Sequence, residues 1–343
     1  MPQPKIALFG ATGGCTLACL VLALKAGYTC RALARTPQTL QTLLEQNGIS
    51  PSTQSAHLTI IHGNATDAAA VRRTIVLAGN DDSTAAPDAV DLIISGVGGK
   101  PTLGLSGLHL DPPDVCADTA RCILQVCREV YAAPAAAAGG GRKPVLVVLS
   151  TTGIAAPAKR DVPLAMVPLY WLVLEAPHAD KKVMEAVVRG ELEGADGENE
   201  DEGARRGIRA AVIVRPSLLT DGEALGAEKV RVGSEDEPAV GYTISRRDVG
   251  AWVFREVVEG LEGVREGCRI VSPELGGVED PRLVVLQVLD VRGEEGCGCE
   301  LDLRGHGVGP EMLADDGGFG VEHAEGCGAV GLFALERVGE GPK

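Results

Sequence analysis

The chain has 343 residues, a formal net charge of −15, 45% hydrophobic residues and 3% aromatic ones. That length allows one large α/β domain or two small ones with ample core. The acidity argues against nucleic acid as a partner, because neutralising phosphates needs a basic face. No stretch approaches the ~18 uninterrupted apolar residues that cross a bilayer, so no membrane partner is expected. Met1–Gly10 has neither the basic start nor the apolar core of a secretory signal and runs straight into a strand. Ten cysteines are present, and Cys15, Cys19, Cys30, Cys122 and Cys127 fall in expected helices or strands. There they behave as small apolar residues, whereas Cys297 and Cys299 are too close together for the usual zinc pair. A reduced, cytoplasmic protein with no metal is expected.

Lys5–Phe9 is a short apolar run that ends at Gly10-Ala-Thr-Gly-Gly14. Cys15–Ala26 is then apolar on nearly every face, Gly27 stops it, and Tyr28–Ala34 is apolar again. This reads as strand, tight turn, buried helix, strand. Glycines at the first strand-to-helix turn let the backbone approach a pyrophosphate and leave helix N–H groups free for it. Gly10, Thr12, Gly13, Gly14 and Cys15 are therefore candidate cofactor contacts. The second strand ends without a carboxylate for a ribose 2′-hydroxyl, but carries Arg31 and Arg35. A guanidinium forks well onto a 2′-phosphate, so NADP(H) is expected in preference to NAD(H). The alternative is that both arginines are surface charges at a strand end.

GATGG before a buried helix, followed by CRALART, resembles the atypical short-chain dehydrogenase/reductases, in particular their NmrA-like and flavin-reductase-like NAD(P)-binding group. The resemblance covers about the first four-fifths of the chain. It implies a doubly wound parallel sheet of order 3-2-1-4-5-6 with a small substrate-side cap, a nicotinamide cofactor and a small-molecule substrate. One departure is Thr16, where the group has its third glycine, so the first helix is expected slightly further from the sheet.

Onward, Thr36-Pro37 opens a helix ending near Asn47, and His57–His62 is a third strand. The turn Gly63–Asp67 follows, where the resembled group places two acidic residues beside the adenine. Here Asn64 stands at the first position, and Asp67 is equally well read as a plain helix cap. Asn80–Pro87 is a polar loop. Ala89–Ser95 is the fourth strand, and Ser95, Gly96 and Val97 match positions where the group's chain passes the cofactor. Lys100–Pro113 reads as an irregular connection, after which Asp114 caps an amphipathic helix. Residues 132–143 are low in complexity and read as an insert. Pro144–Ser150 is a fully apolar, hence central, fifth strand.

The resemblance then implies a serine or threonine that orients the substrate, and Ser150, Thr151 and Thr152 compete for it, with Ser150 or Thr151 favoured. It also implies a Tyr-x-x-x-Lys pair, which this chain lacks: Tyr170 lies eleven residues before Lys181. His178-x-x-x-Lys182 stands there instead, on one side of a helix opening after Pro177. His178 could pass protons near neutral pH and Lys182 could hold a ribose. In the alternative, His178 only lines a helix start and Lys181 pairs with Glu185. Lys181-x-x-x-Glu185 also matches a spacing of NmrA-like members, which makes Lys181 a rival cofactor contact. Tyr170, Trp171 and Leu218-Leu219 point to an apolar, aromatic ligand.

Gly190–Arg206 is acidic and glycine-rich, a solvated insert, and Ile208–Val214 is the sixth strand. Arg215-Pro216-Ser217 matches the group's V-x-R-P-[SG], with Pro216 beside the nicotinamide; Arg215 could instead be a structural ion pair. Lys229–Val232 and Tyr242–Ile244 are short strands of the cap, Asp248 caps the next helix, and Arg269–Val271 is a last strand. The NAD(P)-binding domain is placed at 1–275. Residues 276–343 carry 16 glycines and 14 acidic against 5 basic side chains, and read as a poorly ordered tail apart from a strand at Leu283–Val291.

These features support an NADP(H)-dependent oxidoreductase that passes hydride to or from a small carbonyl, enone, quinone or flavin-like acceptor. The missing Tyr-x-x-x-Lys keeps open a nucleotide sensor that binds a protein partner without turnover. An isomerase or cyclase on the same scaffold is a third reading.

Overall fold

The computed structural model describes residues 3–77, 88–104, 107–131, 142–155, 160–168, 170, 174–193, 206–226, 229–235, 237–264, 267–275 and 284–291. Trp171, the polar loop at 80–87, most of both expected inserts, and the tail other than 284–291 lie outside the described residues.

In chain order, β1 (Ile6–Phe9), α1 (Gly14–Lys25), β2 (Cys30–Ala34), α2 (Pro37–Gln46), α3 (Pro51–His57), β3 (Leu58–His62) and α4 (Ala68–Ile75) come first. They are followed by β4 (Leu92–Ser95), β5 (Lys100–Gly104), β6 (Gly107–Asp111), α5 (Val115–Tyr131), β7 (Val145–Leu149) and α6 (Glu175–Glu193). The last are β8 (Ala210–Val214), β9 (Leu218–Thr220), β10 (Val230–Gly233), β11 (Thr243–Ser245), α7 (Arg246–Trp252), β12 (Gly267–Leu275) and β13 (Val284–Val291). Six parallel strands lie in the order β3-β2-β1-β4-β7-β8, the expected 3-2-1-4-5-6. The sheet continues with β12, parallel to β8, and β13, antiparallel to β12.

The central strands β1, β4, β7 and β8 are buried at every position because both faces are covered, whereas the edge strand β3 is partly exposed. Ile6 and Leu8 face one helical layer with Leu20 and Leu24 of α1, Leu40 and Leu44 of α2, and Val249 of α7. Ala7 and Phe9 face the other, with Val71 of α4, Ile123 and Leu124 of α5, and Val188 of α6. Burying one such side chain stabilises the fold by roughly 1.5–3 kcal/mol. α1 and α7 approach closely at Gly250, where a Cβ would meet Ala18 Cβ and the Cys15 carbonyl oxygen at 2.5 Å. Thr16, in place of the third glycine, is buried, and its hydroxyl takes the room that Gly96 leaves by lacking a side chain.

Several expectations are corrected. Lys100–Pro113 is not irregular: β5 and β6 form an antiparallel hairpin closed by Gly104 and Gly107. Ser50-Pro51 starts a short extra helix, α3, with the Ser50 hydroxyl accepting from Thr53 N–H. Only one of the two expected cap strands stays apart from the main sheet: β11 pairs with β9 in a two-stranded ribbon. β10 joins the main sheet, where β12 and β13 offer partners for its backbone groups. The expected insert at 190–206 begins as helix, because α6 runs to Glu193 and the buried Glu191 binds Gly207 N–H at 2.7 Å and the Arg128 guanidinium.

Candidate functional site

The carboxyl ends of β1, β2, β3 and β4 open onto a cleft of about 530 Å³, within the roughly 300–1,000 Å³ of small-molecule sites. Gly10, Thr12 and Gly13 form one wall, Arg35 and Asn64 another, and Gly96 and Val97 a third. Gly10 has φ +72°, and a Cβ there would meet the Gly96 and Val97 backbone at 2.7–2.8 Å. A side chain is therefore excluded twice, by backbone conformation and by the neighbouring strand. Gly13 precedes α1 with no capping side chain, and α1 has no acidic residue in its first turn. That helix end retains free donors and the positive end of its dipole.

Other candidates lie elsewhere. Arg31 turns away from the cleft, donating to the carbonyls of Thr74 (3.1 Å) and Arg73 (2.6 Å). It shares the sheet face of Leu33, which α4 covers, and the open carbonyls of a helix C-terminus attract a guanidinium. Cys15 is buried, which pushes its thiol up to about 12, although Arg246 and Lys181 pull against that shift. Ser95 is buried at the end of β4. Pro216 is buried as well, and its carbonyl accepts from Thr152 N–H at 3.0 Å. Asp67 caps α4 by accepting from Ala69 N–H.

The ends of β7 and β8 and the start of α6 form a second cluster. Ser150 donates to Glu185 at 2.5 Å, and Arg215 binds both Glu185 oxygens. All three are buried, and their charges and lone pairs are mutually satisfied. Burial works against the Arg215 charge, but Glu185 and the nearby Glu235 and Asp161 carboxylates outweigh it and hold the guanidinium above its ordinary value. The structural ion-pair reading of Arg215 is thus the observed one. Glu185 is taken by Arg215, so Lys181 does not pair with it. Instead Lys181 Nζ donates to Leu149 O (2.5 Å) and Val97 O (3.3 Å), spanning the ends of β7 and β4. Lys182, one residue on, is exposed on the outer side of α6.

His178 is buried, its ring 5.5 Å from that of Tyr170. Burial, helped by Lys182, lowers its pKa to about 4, so it is neutral at physiological pH, and its Nε2 has no partner among the described residues. The Tyr170 hydroxyl lies 3.3 Å from Thr152 Oγ1. Gly153, with φ +83°, passes so close that a Cβ would meet Tyr170 at 2.5 Å and His178 at 2.9 Å. Asp161 accepts from Gly153 N–H at 2.9 Å and fixes that turn; burial raises its pKa, while bonds from backbone N–H groups and the Arg215 charge oppose the rise. Thr151 is half-buried beside this group.

Residues 10–259 match a protein family described as NAD(P)H-binding. The chain belongs to this NAD(P)H-binding family. Reductase pytE of Aspergillus terreus is 48% identical over 262 residues, 75% of this chain and 92% of that protein. Oxidase pynE of Aspergillus niger is 41% identical over 278 residues, 75% of this chain and 94% of that protein. Among solved structures, the anaerobillin reductase ChuY of Escherichia coli O157:H7 aligns with a TM-score of 0.46 at 16% identity, over 85% of this chain and 100% of that one. The atypical short-chain dehydrogenase/reductase resemblance carried by GATGG and CRALART agrees with this membership.

Within this family member, several site residues escape a local reading. Asp111 and Pro112 of the β5–β6 hairpin, and Val115 and Asp118 of the first turn of α5, also line the cleft. No glycine or charge pattern signals them. Asp180 is likewise silent in sequence: buried in α6, it accepts from Cys116 N–H (3.0 Å) and Ala117 N–H (2.9 Å). It caps α5 from 63–64 residues away, the role expected of Asp114.

Proposed function

We propose that this protein is an NADP(H)-dependent oxidoreductase acting on a small, apolar carbonyl, enone, quinone or flavin-like acceptor. One observation carries the reading: the glycine turn and Arg35 line the same cleft. The residues fit such a group, because Gly10 leaves open a backbone cradle that a Cβ would fill. A bound nicotinamide supplies the hydride. The turn at Gly10–Gly14 holds the pyrophosphate, Arg35 binds the 2′-phosphate, and Asn64 faces the adenosine. Lys181, fixed between β4 and β7, reaches the ribose in place of the exposed Lys182.

At the acceptor end, Ser150 is committed to Glu185 by a short buried bond, whereas the Thr151 and Thr152 hydroxyls make longer bonds, to Thr152 O at 3.2 Å and Pro216 O at 3.4 Å, that an acceptor oxygen could replace. Thr152 with Tyr170 orients the acceptor oxygen. His178, being neutral, serves as a hydrogen-bonding wall, its Nε2 without a partner among the described residues, rather than as a cationic acid. The proton then comes from a hydroxyl or from water. The names of the two fungal relatives, a reductase and an oxidase, support redox chemistry without fixing its direction.

The test is a fluorescence titration with NADPH and NADH, followed by NADPH oxidation with quinones, flavins and aldehydes. NADPH is expected to bind more tightly, and Arg35→Ala to weaken NADPH by about tenfold or more while leaving NADH nearly unchanged. Equal affinities in the unaltered protein would remove the NADP assignment. Tight NADPH binding with no oxidation across the panel would favour a nucleotide sensor, the reading supported by Pro177 standing four residues before Lys181.

A further inference from the structure

Arg246, the first residue of α7, lies against Gly14 at the start of α1. Its stem crosses Gly14 so closely that a Cβ there would meet Arg246 Cδ at 2.5 Å. Its guanidinium donates to Asp221 Oδ1 at 2.8 Å and reaches Leu219 O at 3.5 Å. Both partners belong to the segment that leaves the end of β8, the nicotinamide side of the proposed site. The Asp221 side chain is 88% exposed, against 32% for Arg246. An ion pair so open to water is held weakly and exchanges readily for a better anion. The buried fixing of this segment comes from elsewhere: Asp248 accepts from Leu225 and Gly226 N–H and from the Ser245 hydroxyl. The guanidinium is therefore packed at its stem and held at its head by an exposed carboxylate and a long bond to a carbonyl, beside a helix start that has no capping side chain and no acid.

We infer that Arg246 is a further residue of the dinucleotide site, donating to the phosphate nearer the nicotinamide, and that Asp221 competes with that phosphate for the guanidinium. This rests on the dinucleotide reading above. A phosphate oxygen offers Arg246 a charge-assisted bond beside the α1 donors, where the exposed carboxylate offers only a screened one.

Calorimetric titrations of the unaltered protein, Arg246→Gln, Asp221→Asn and the double variant with NADPH, 2′-phospho-ADP-ribose and 2′,5′-ADP test it. The first two ligands carry the nicotinamide-side phosphate and the third does not. Arg246→Gln should weaken the first two by roughly ten- to a hundredfold and 2′,5′-ADP by less than about twofold. Asp221→Asn should tighten the first two by about two- to fivefold, and this gain should vanish in the double variant. Arg246→Gln binding NADPH as before, or losing all three ligands equally, would overturn the inference. So would weaker NADPH binding by Asp221→Asn, which remains decisive if Arg246→Gln fails to fold. An unaltered protein that binds none of the three would bring down the dinucleotide reading itself; one that binds all three while Arg246→Gln does too would bring down this inference alone.

Discussion

The β1–α1–β2 region and the β7–α6–β8 region lie in one sheet on either side of β4 but are built on different principles. The first solves a backbone problem. Gly10 takes a left-handed conformation against Gly96, and the chain between Lys5 and Arg35 contains most of what it needs. The second solves a charge problem. Glu185 lies 35 residues from Ser150 and 30 from Arg215, and the three are buried together with both partners bound to its carboxylate. The start of α1 suits an anion because it offers backbone donors with no acidic side chain in its first turn. Ser150 gives its one proton to Glu185 within this buried network, although it stands where the fold places ligands.

The largest effect that would sharpen this contrast is Glu185→Ala. It leaves the Arg215 charge buried without its bidentate partner and should cost about 3–5 kcal/mol in chemical denaturation. Cofactor affinity in the folded fraction should change little, because Glu185 lines no part of the cleft. Next, Gly10→Ala should cost about 2–3 kcal/mol and abolish measurable NADPH binding, since φ +72° and the Gly96 contact both oppose a Cβ. A stable Gly10→Ala that bound NADPH normally would break the comparison.

The third effect concerns acid. The His178 pKa falls from 6.5 to about 4 on folding. Between those values the unfolded chain binds a proton that the folded one does not, so stability rises with pH across this window and is lost as pH falls below 6.5. The contribution is on the order of 2–3 kcal/mol between pH 7 and pH 4. Denaturation at both pH values should show a smaller acid loss for His178→Gln than for the unaltered protein. The smallest effect is expected for Asp180→Asn, which weakens the cap of α5 from α6 and should cost about 1–2 kcal/mol. An unchanged melting temperature would show that Asp114 suffices.

Apolar runs were enough to locate the parallel strands, because strands buried on both faces are nearly uninterrupted in hydrophobicity, while their order followed from the resemblance carried by GATGG and CRALART. Glycine placement was enough to read the turn, and Arg35 was legible as the first charge after β2. Arg31 and Arg35 have the same parity along the chain, so alternation does not separate them: Arg31 lies within β2 and is taken by the α4 carbonyls, whereas Arg35 lies past the strand end, where the cleft opens. Lys181 and Lys182 are adjacent in sequence, and helical phase relative to the sheet decides which one points inward.

By itself, the sequence determined the βαβ unit, its glycine turn and the six parallel strands. These depend on residues close in the chain, on backbone conformation and on hydrophobic pattern. Tertiary structure alone decided that Glu185 belongs to Arg215 and Ser150, that Asp180 caps α5, that Arg31 closes α4, and that Arg246 lies over Gly14. Each joins side chains distant in sequence, and a buried charge or donor takes whichever partner the packing brings within reach.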